Sequence, residues 1–115
     1  MEETAWNIET YETASGEKIV DEFIKKQQPQ TIAKIAHDVK LLKQYGNKLG
    51  LPHSKALGAG LYELRIRGRE EIRILYCFRP GKTIYLLHGF KKQTKQIPLR
   101  ELDVALQRMK DLTSI

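Results

Sequence analysis

The sequence predicts an α+β domain in which a helical hairpin and a C-terminal helix pack on a small antiparallel-rich sheet, in the order β-α-α-β-β-β-α. Three observations lead there. Apolar residues recur at helical spacing between residues 19 and 46 and at strand spacing after residue 60. Short turn signals separate the later strands, which forces antiparallel pairing. The 115 residues suit one domain, spanning 1–115.

Residues 5–12 alternate, with Trp6, Ile8 and Thr10 against Asn7, Glu9 and Tyr11, and read as a first strand. Ser15 stands where a cap would precede a helix with Ile19, Val20, Phe23 and Ile24 on one face. Pro29 ends that helix, and a longer one, with Ile32, Ile35, Ala36, Val39 and Leu42 on one face, runs to Gly46. Residues 46–60 hold four of the eight glycines and Pro52, so they read as a loop. Gly58-Ala59-Gly60 precedes a strand rather than a helix, which makes it a turn and not a phosphate loop. Residues 61–67 and 71–79 alternate as strands around a turn at Gly68-Arg69-Glu70. After Pro80-Gly81-Lys82, residues 83–90 are nearly apolar on both faces, the pattern of a central strand. Pro98 opens a closing helix striped by Leu99, Leu102, Leu106 and Met109.

Composition narrows the class. Hydrophobic residues are 41% and charged ones 30%, a globular balance. The longest apolar run, Ile74 to Phe78, is far short of the roughly 20 residues that cross a bilayer. Met1-Glu2-Glu3 is acidic with no apolar stretch, so no secretory signal and no membrane partner are expected, and the location is cytoplasmic. One cysteine, Cys77, makes no internal disulfide and no cysteine-pair metal site, and it reads as a small buried residue. His37 and His53 lack metal-ligand spacing, so neither metal nor cofactor is expected.

Charge points to a partner. The net charge is +6, yet residues 1–60 carry eight lysines against eight acids. Residues 61–115 carry twelve Lys and Arg against six acids, including all seven arginines. A basic field confined to one segment suits a polyanion. If Tyr62, Leu64, Ile66, Ile72, Ile74 and Tyr76 face the helices, Arg65, Arg67 and Arg73 share the opposite face. Like charges there repel unless an anion lies among them. Lys91, Lys92 and Lys95 extend the patch, and guanidinium forks suit phosphate oxygens and the charge of a phosphoryl transition state. Arg73, on the polar side of its strand, is expected to be removable without leaving a cavity. His88 is the histidine nearest this face. No predicted element is left over to cover it.

Three runs then resemble a known family: Lys55-Ala56-Leu57-Gly58-Ala59-Gly60-Leu61-Tyr62-Glu63-Leu64-Arg65, Ile72-Arg73-Ile74-Leu75-Tyr76, and Leu86-Leu87-His88-Gly89-Phe90-Lys91-Lys92. Together they are similar to the RelE/HigB superfamily of type II toxins, above all its phage-derived HigB-like branch. There "GLYELR", "RILY" and "FxKK" segments precede a Pro-initiated helix. The third run continues with Gln93 and matches in part. The resemblance covers nearly the whole chain and the same element order.

The resemblance implies a metal-independent endoribonuclease that cuts mRNA, commonly in the ribosomal A site. In relatives the RNA 2′-OH attacks the adjacent phosphate. It also implies silencing by a cognate helix-turn-helix antitoxin of the HigA kind. Position by position, Arg73 matches the arginine that contacts the scissile phosphate. Arg65 matches a basic position that is lysine in some relatives. Lys92 falls near a basic residue that follows the last strand, and Glu63 falls where some relatives are basic. Arg67, Arg69, Lys91 and Lys95 complete the expected RNA-binding set. For proton transfer, His88, a lysine of the cationic cluster and Glu63 all stay open. Two other classes share the pattern: a ParE-like toxin that inhibits DNA gyrase, and a non-catalytic basic protein that binds RNA or the ribosome. Arg65, Arg73, His88 and the post-strand lysines favour the nuclease.

Overall fold

The computed structural model describes residues 5–113, and the acidic start Met1-Glu2-Glu3 lies outside them. The elements are β1 (Asn7–Thr10), α1 (Ile19–Lys25), α2 (Pro29–Tyr45), a 3₁₀ turn (Gly46–Lys48), β2 (Ser54–Gly58), β3 (Leu61–Ile66), β4 (Ile72–Arg79), β5 (Thr83–Lys91) and α3 (Leu99–Thr113). They form one mixed sheet in the order β1-β5-β4-β3-β2, with β1 parallel to β5 and the other pairs antiparallel. The α+β class, the helical hairpin and the closing helix are as the sequence predicts. None of the helices among the described residues is long and apolar enough to cross a membrane.

Strand alternation gives the sheet two buried faces. Leu64, Ile66, Ile72, Ile74, Tyr76, Ile84 and Leu86 meet Val20, Ile35 and Leu42 of the α1–α2 hairpin. On the other side Leu61, Leu75, Cys77, Leu87 and Phe90 meet Ala105, Leu102, Leu106 and Met109 of α3. Each fully buried Leu or Ile contributes about 1.5–3 kcal/mol, so both layers hold the fold. Gly89 lets α1 lie close to β5, because a Cβ there would stand 2.6 Å from the Phe23 ring.

Several local expectations need correction. The loop expected over 46–60 contains β2, an edge strand whose short length and flanking glycines and proline hide its period. It joins β3 through Ala59 and Gly60, both at positive φ (55° and 85°), the backbone of a tight hairpin. The nearly apolar last strand is interior, but β4 occupies the middle of the sheet. Ser15 does not cap α1, which starts at Ile19 after Lys18. Ser15 instead bonds Thr13 and Glu17 in the preceding turn. Pro29 opens α2, as its fixed φ allows, and α1 stops at Lys25. On α2, Ala36 is exposed while Asp38 is buried at 1% exposure. Lys34 Nζ and His37 Nδ1 reach Asp38 Oδ1 at 3.1 and 3.0 Å, which offsets the burial of its charge. Most consequentially, the arginine-bearing face is not bare, because α3 packs on it.

Candidate functional site

Sheet register sets out the polar groups of the α3 face in two rows. Lys55, Glu63, Leu75 and His88 are successive cross-strand partners on β2, β3, β4 and β5. Arg65, Arg73 and Phe90 form the next row. Arg65 and Arg73 are thus directly opposite, an arrangement that repels unless an anion intervenes. Glu63 is that anion. Its Oε1 accepts from Arg65 Nε at 2.8 Å, and its Oε2 lies 3.5 Å from Arg73 Nε.

α3 covers only part of this face and leaves a cleft of about 350 Å³ beside its first turn. Four cations line it: Lys55, Arg65, Lys92 and Lys95. Leu57, Ile97, Leu99 and Leu102 form an aliphatic wall, and Glu63 and Gln96 complete the lining. Four cations around one cleft concentrate positive potential, which suits a phosphodiester.

The expected site residues do not all come together. Glu63, Arg65, Lys92 and Lys95 come together in the cleft. Arg73 stands behind them, only 3% exposed, donating to the Ile72 carbonyl and to Glu71 Oε1, each at 3.0 Å. The expectation that Arg73 lies on an open polar face is therefore corrected, since its guanidinium is spent on partners of its own chain. Arg67 has passed the end of β3 and does not share the face of Arg65. With Arg69 and Lys34 it lines a separate cleft of about 190 Å³ against the start of α2. Lys91 pairs with Glu70 at 2.8 Å instead of extending the patch.

His88 owes its position to a β-bulge. Leu75 pairs with His88 but Tyr76 with Leu86, so Leu87 is the extra residue. Arg108 Nη1 donates to the Leu87 carbonyl at 2.8 Å and lies 3.4 Å from His88 Nδ1. Burial lowers the pKa of Arg108 from its ordinary value. His88 Nε2 meets Glu101 Oε1 at 2.6 Å, and its ring stacks on Phe90. Both ring nitrogens are thus engaged by α3. His88 lies two strands from Glu63, about 10 Å by sheet spacing.

Sequence reasoning misses Lys55 because it sits on the unrecognised β2. Its register partner Glu63 is the signal that finds it, once the hairpin at Ala59-Gly60 is seen. Of the aliphatic wall, only Leu99 and Leu102 show in the sequence, as part of a helix stripe. Burial pushes the Cys77 thiol pKa up, with Arg79 a smaller opposing influence, which leaves it a packed side chain. Among the described residues no cluster of His, Cys, Asp or Glu is arranged to hold a metal ion.

Comparison with known proteins gives one family. The model for "Phage derived protein Gp49-like (DUF891)" matches residues 22–110, from α1 into α3. No curated protein matches the chain.

Proposed function

The chain belongs to the phage-derived Gp49-like family, and from that premise we propose that it is the toxin of a type II toxin–antitoxin pair, an mRNA endoribonuclease of the RelE/HigB kind. The observation that carries this reading is the cleft that Lys55, Arg65, Lys92 and Lys95 line together with Glu63. A phosphodiester entering it meets four cations and a proton acceptor together.

The chemistry follows from the RNA. The ribose 2′-oxygen forms a bond to the adjacent phosphorus while the bond from phosphorus to the 5′-oxygen breaks, leaving a 2′,3′-cyclic phosphate and a 5′-hydroxyl. Glu63 takes the proton of the 2′-OH, and Lys92 returns one to the leaving 5′-oxygen. Arg65, Lys55 and Lys95 balance the extra charge on the phosphoryl oxygens. Glu63 and Lys92 are preferred over His88 because they line the cleft with the other cations, whereas His88 does not. Arg73 holds Glu63 from behind. Messenger RNA, commonly on the ribosome, is the substrate. A helix-turn-helix antitoxin is the silencing partner.

Primer extension on mRNA after induced expression tests this, with wild type beside Arg65→Ala and Lys92→Ala. Discrete new 5′ ends in the wild type, absent from both variants, are expected. Intact mRNA with an induced DNA-repair response would instead mark a gyrase poison. Intact mRNA with neither cleavage nor DNA damage would mark a binding protein without chemistry.

A further inference from the structure

We propose that the aliphatic wall of the cleft seats one unstacked nucleobase of the RNA beside the phosphate being cut, and that Gln96 reads that base's edge. The inference rests on the ribonuclease reading above and adds a specificity site to it. Leu99 is 76% exposed, more than Leu51 at 69% or Tyr45 at 48%. A lone exposed leucine is ordinary. This one is not alone, because Ile97, Leu102 and Leu57 line the same cleft as the four cations.

The lining selects the class of ligand. A bare phosphate would use the cations and leave the aliphatic wall in water. A purely apolar ligand would leave the cations without a counter-charge. A nucleotide in single-stranded RNA uses both, since its base has apolar faces and its phosphate lies one ribose away. Sequence-specific recognition of single strands works by splaying bases onto such surfaces and bonding their edges. The 350 Å³ of the cleft falls within the roughly 300–1,000 Å³ of small-ligand sites. Gln96 lines it too, and its amide offers a donor and an acceptor side by side. An acidic peptide with apolar side chains would match the charge as well, but it would not need an amide that reads a planar edge.

The experiment maps RNA 5′ ends across the transcriptome after induction of wild type, Leu99→Ala, Leu99→Phe and Gln96→Ala, with thermal melts of each purified protein. Wild-type melts are expected throughout, because Leu99 and Gln96 are exposed. Leu99→Ala should slow cleavage about tenfold, the scale of removing aliphatic packing from a pocket. Leu99→Phe should retain cleavage, and Gln96→Ala should cleave with an altered base preference beside the cut. If wild type cleaves while Leu99→Ala and Gln96→Ala match it in rate and site profile, the nucleobase site is overturned and the nuclease reading stands. If Leu99→Ala cleaves normally but escapes rescue by the co-expressed antitoxin, the wall is a protein interface and the inference is likewise overturned. Intact mRNA under wild type overturns the nuclease reading itself, and the nucleobase site with it.

Discussion

The two faces of the sheet come from alternate residues of the same strands, yet they are finished differently. On the hairpin face every inward residue of β3 and β4 is apolar, and α1 and α2 close over them. On the α3 face the buried apolar residues of β3 and β4 are Leu61, Leu75 and Cys77, and beside them stand Glu63, Arg65 and Arg73. The closed face buries charge once, at Asp38 on α2. The half-open face buries Glu63 and Arg73 and exposes the cations of the cleft in front of them. One face is therefore built for stability alone. The other spends part of its area on a charged arrangement that packing does not require, and function explains that expense better than stability does.

Arg73→Ala should produce the largest effect, by breaking the closed part of the half-open face. It leaves Glu63, 2% exposed, without one of its two flanking guanidiniums. Removing one partner of a buried ion pair costs about 3–5 kcal/mol, so urea unfolding should show a much lower midpoint. Loss of cleavage in this variant would then report folding as much as chemistry. A wild-type midpoint would show that Glu63 and Arg73 do not depend on each other.

Arg65→Ala sharpens the contrast from the open side. The Arg65 side chain is 18% exposed, against 4% for Arg73, and it lines the cleft. Cleavage should fall roughly 10²–10³-fold, the scale of removing one transition-state donor. The stability loss should be smaller than for Arg73→Ala. A variant that unfolds as readily as Arg73→Ala would mean that the two arginines are equally structural.

These two arginines also show how much the sequence discloses. Both read from sequence as members of one polar face, and register confirms that they are partners. Their unequal burial depends on where Glu63 reaches and where α3 ends, which are long-range facts with no local signature. The regular elements were legible because α2, α3, β3 and β4 carry clean periods and β5 is a short apolar run between turn signals. β2 was not, since the glycines and Pro52 around it resemble a loop and only pairing with β3 makes it a strand. Glu63, Arg65, Lys92 and Lys95 were legible as site candidates from charge and the family resemblance. Lys55 and the aliphatic wall needed the fold. The bulge that turns His88 toward α3 is likewise a product of pairing.

Tyr76→Phe probes the closed face with an intermediate effect. The Tyr76 hydroxyl bonds Ser54 Oγ, and Ser54 is 3% exposed. Leaving that hydroxyl unpaired should cost about 1–3 kcal/mol. Burial, the main cause, raises the Tyr76 pKa above its ordinary 10.0, while the Ser54 bond acts the other way. The unfolded tyrosine therefore releases its proton first as pH rises. This stabilising contribution is complete below pH 10 and is lost as pH climbs above it. Unfolding midpoints measured from pH 8 upward should fall more gently in Tyr76→Phe than in wild type, and parallel curves would contradict the assignment.

Lys91→Ala should have the smallest effect on stability and tests where the functional face ends. Lys91 and Glu70 pair at 2.8 Å, but their side chains are 46% and 30% exposed. Exposed pairs are screened and restrict two flexible side chains, so their net value is about 0–1 kcal/mol. The unfolding midpoint should barely move. RNA binding separates Lys91 from its neighbour more sharply, because Lys92 lines the cleft and Lys91 is held by Glu70 outside it. Removing one lysine that neutralises a phosphate lowers the slope of log affinity against log salt by roughly 0.7 for a single strand. Lys92→Ala should show that decrease and Lys91→Ala should not. Equal decreases for the two would move the boundary of the RNA path around the end of β5, toward the cleft of Arg67 and Arg69. The sheet would then present cations to RNA on both of its faces.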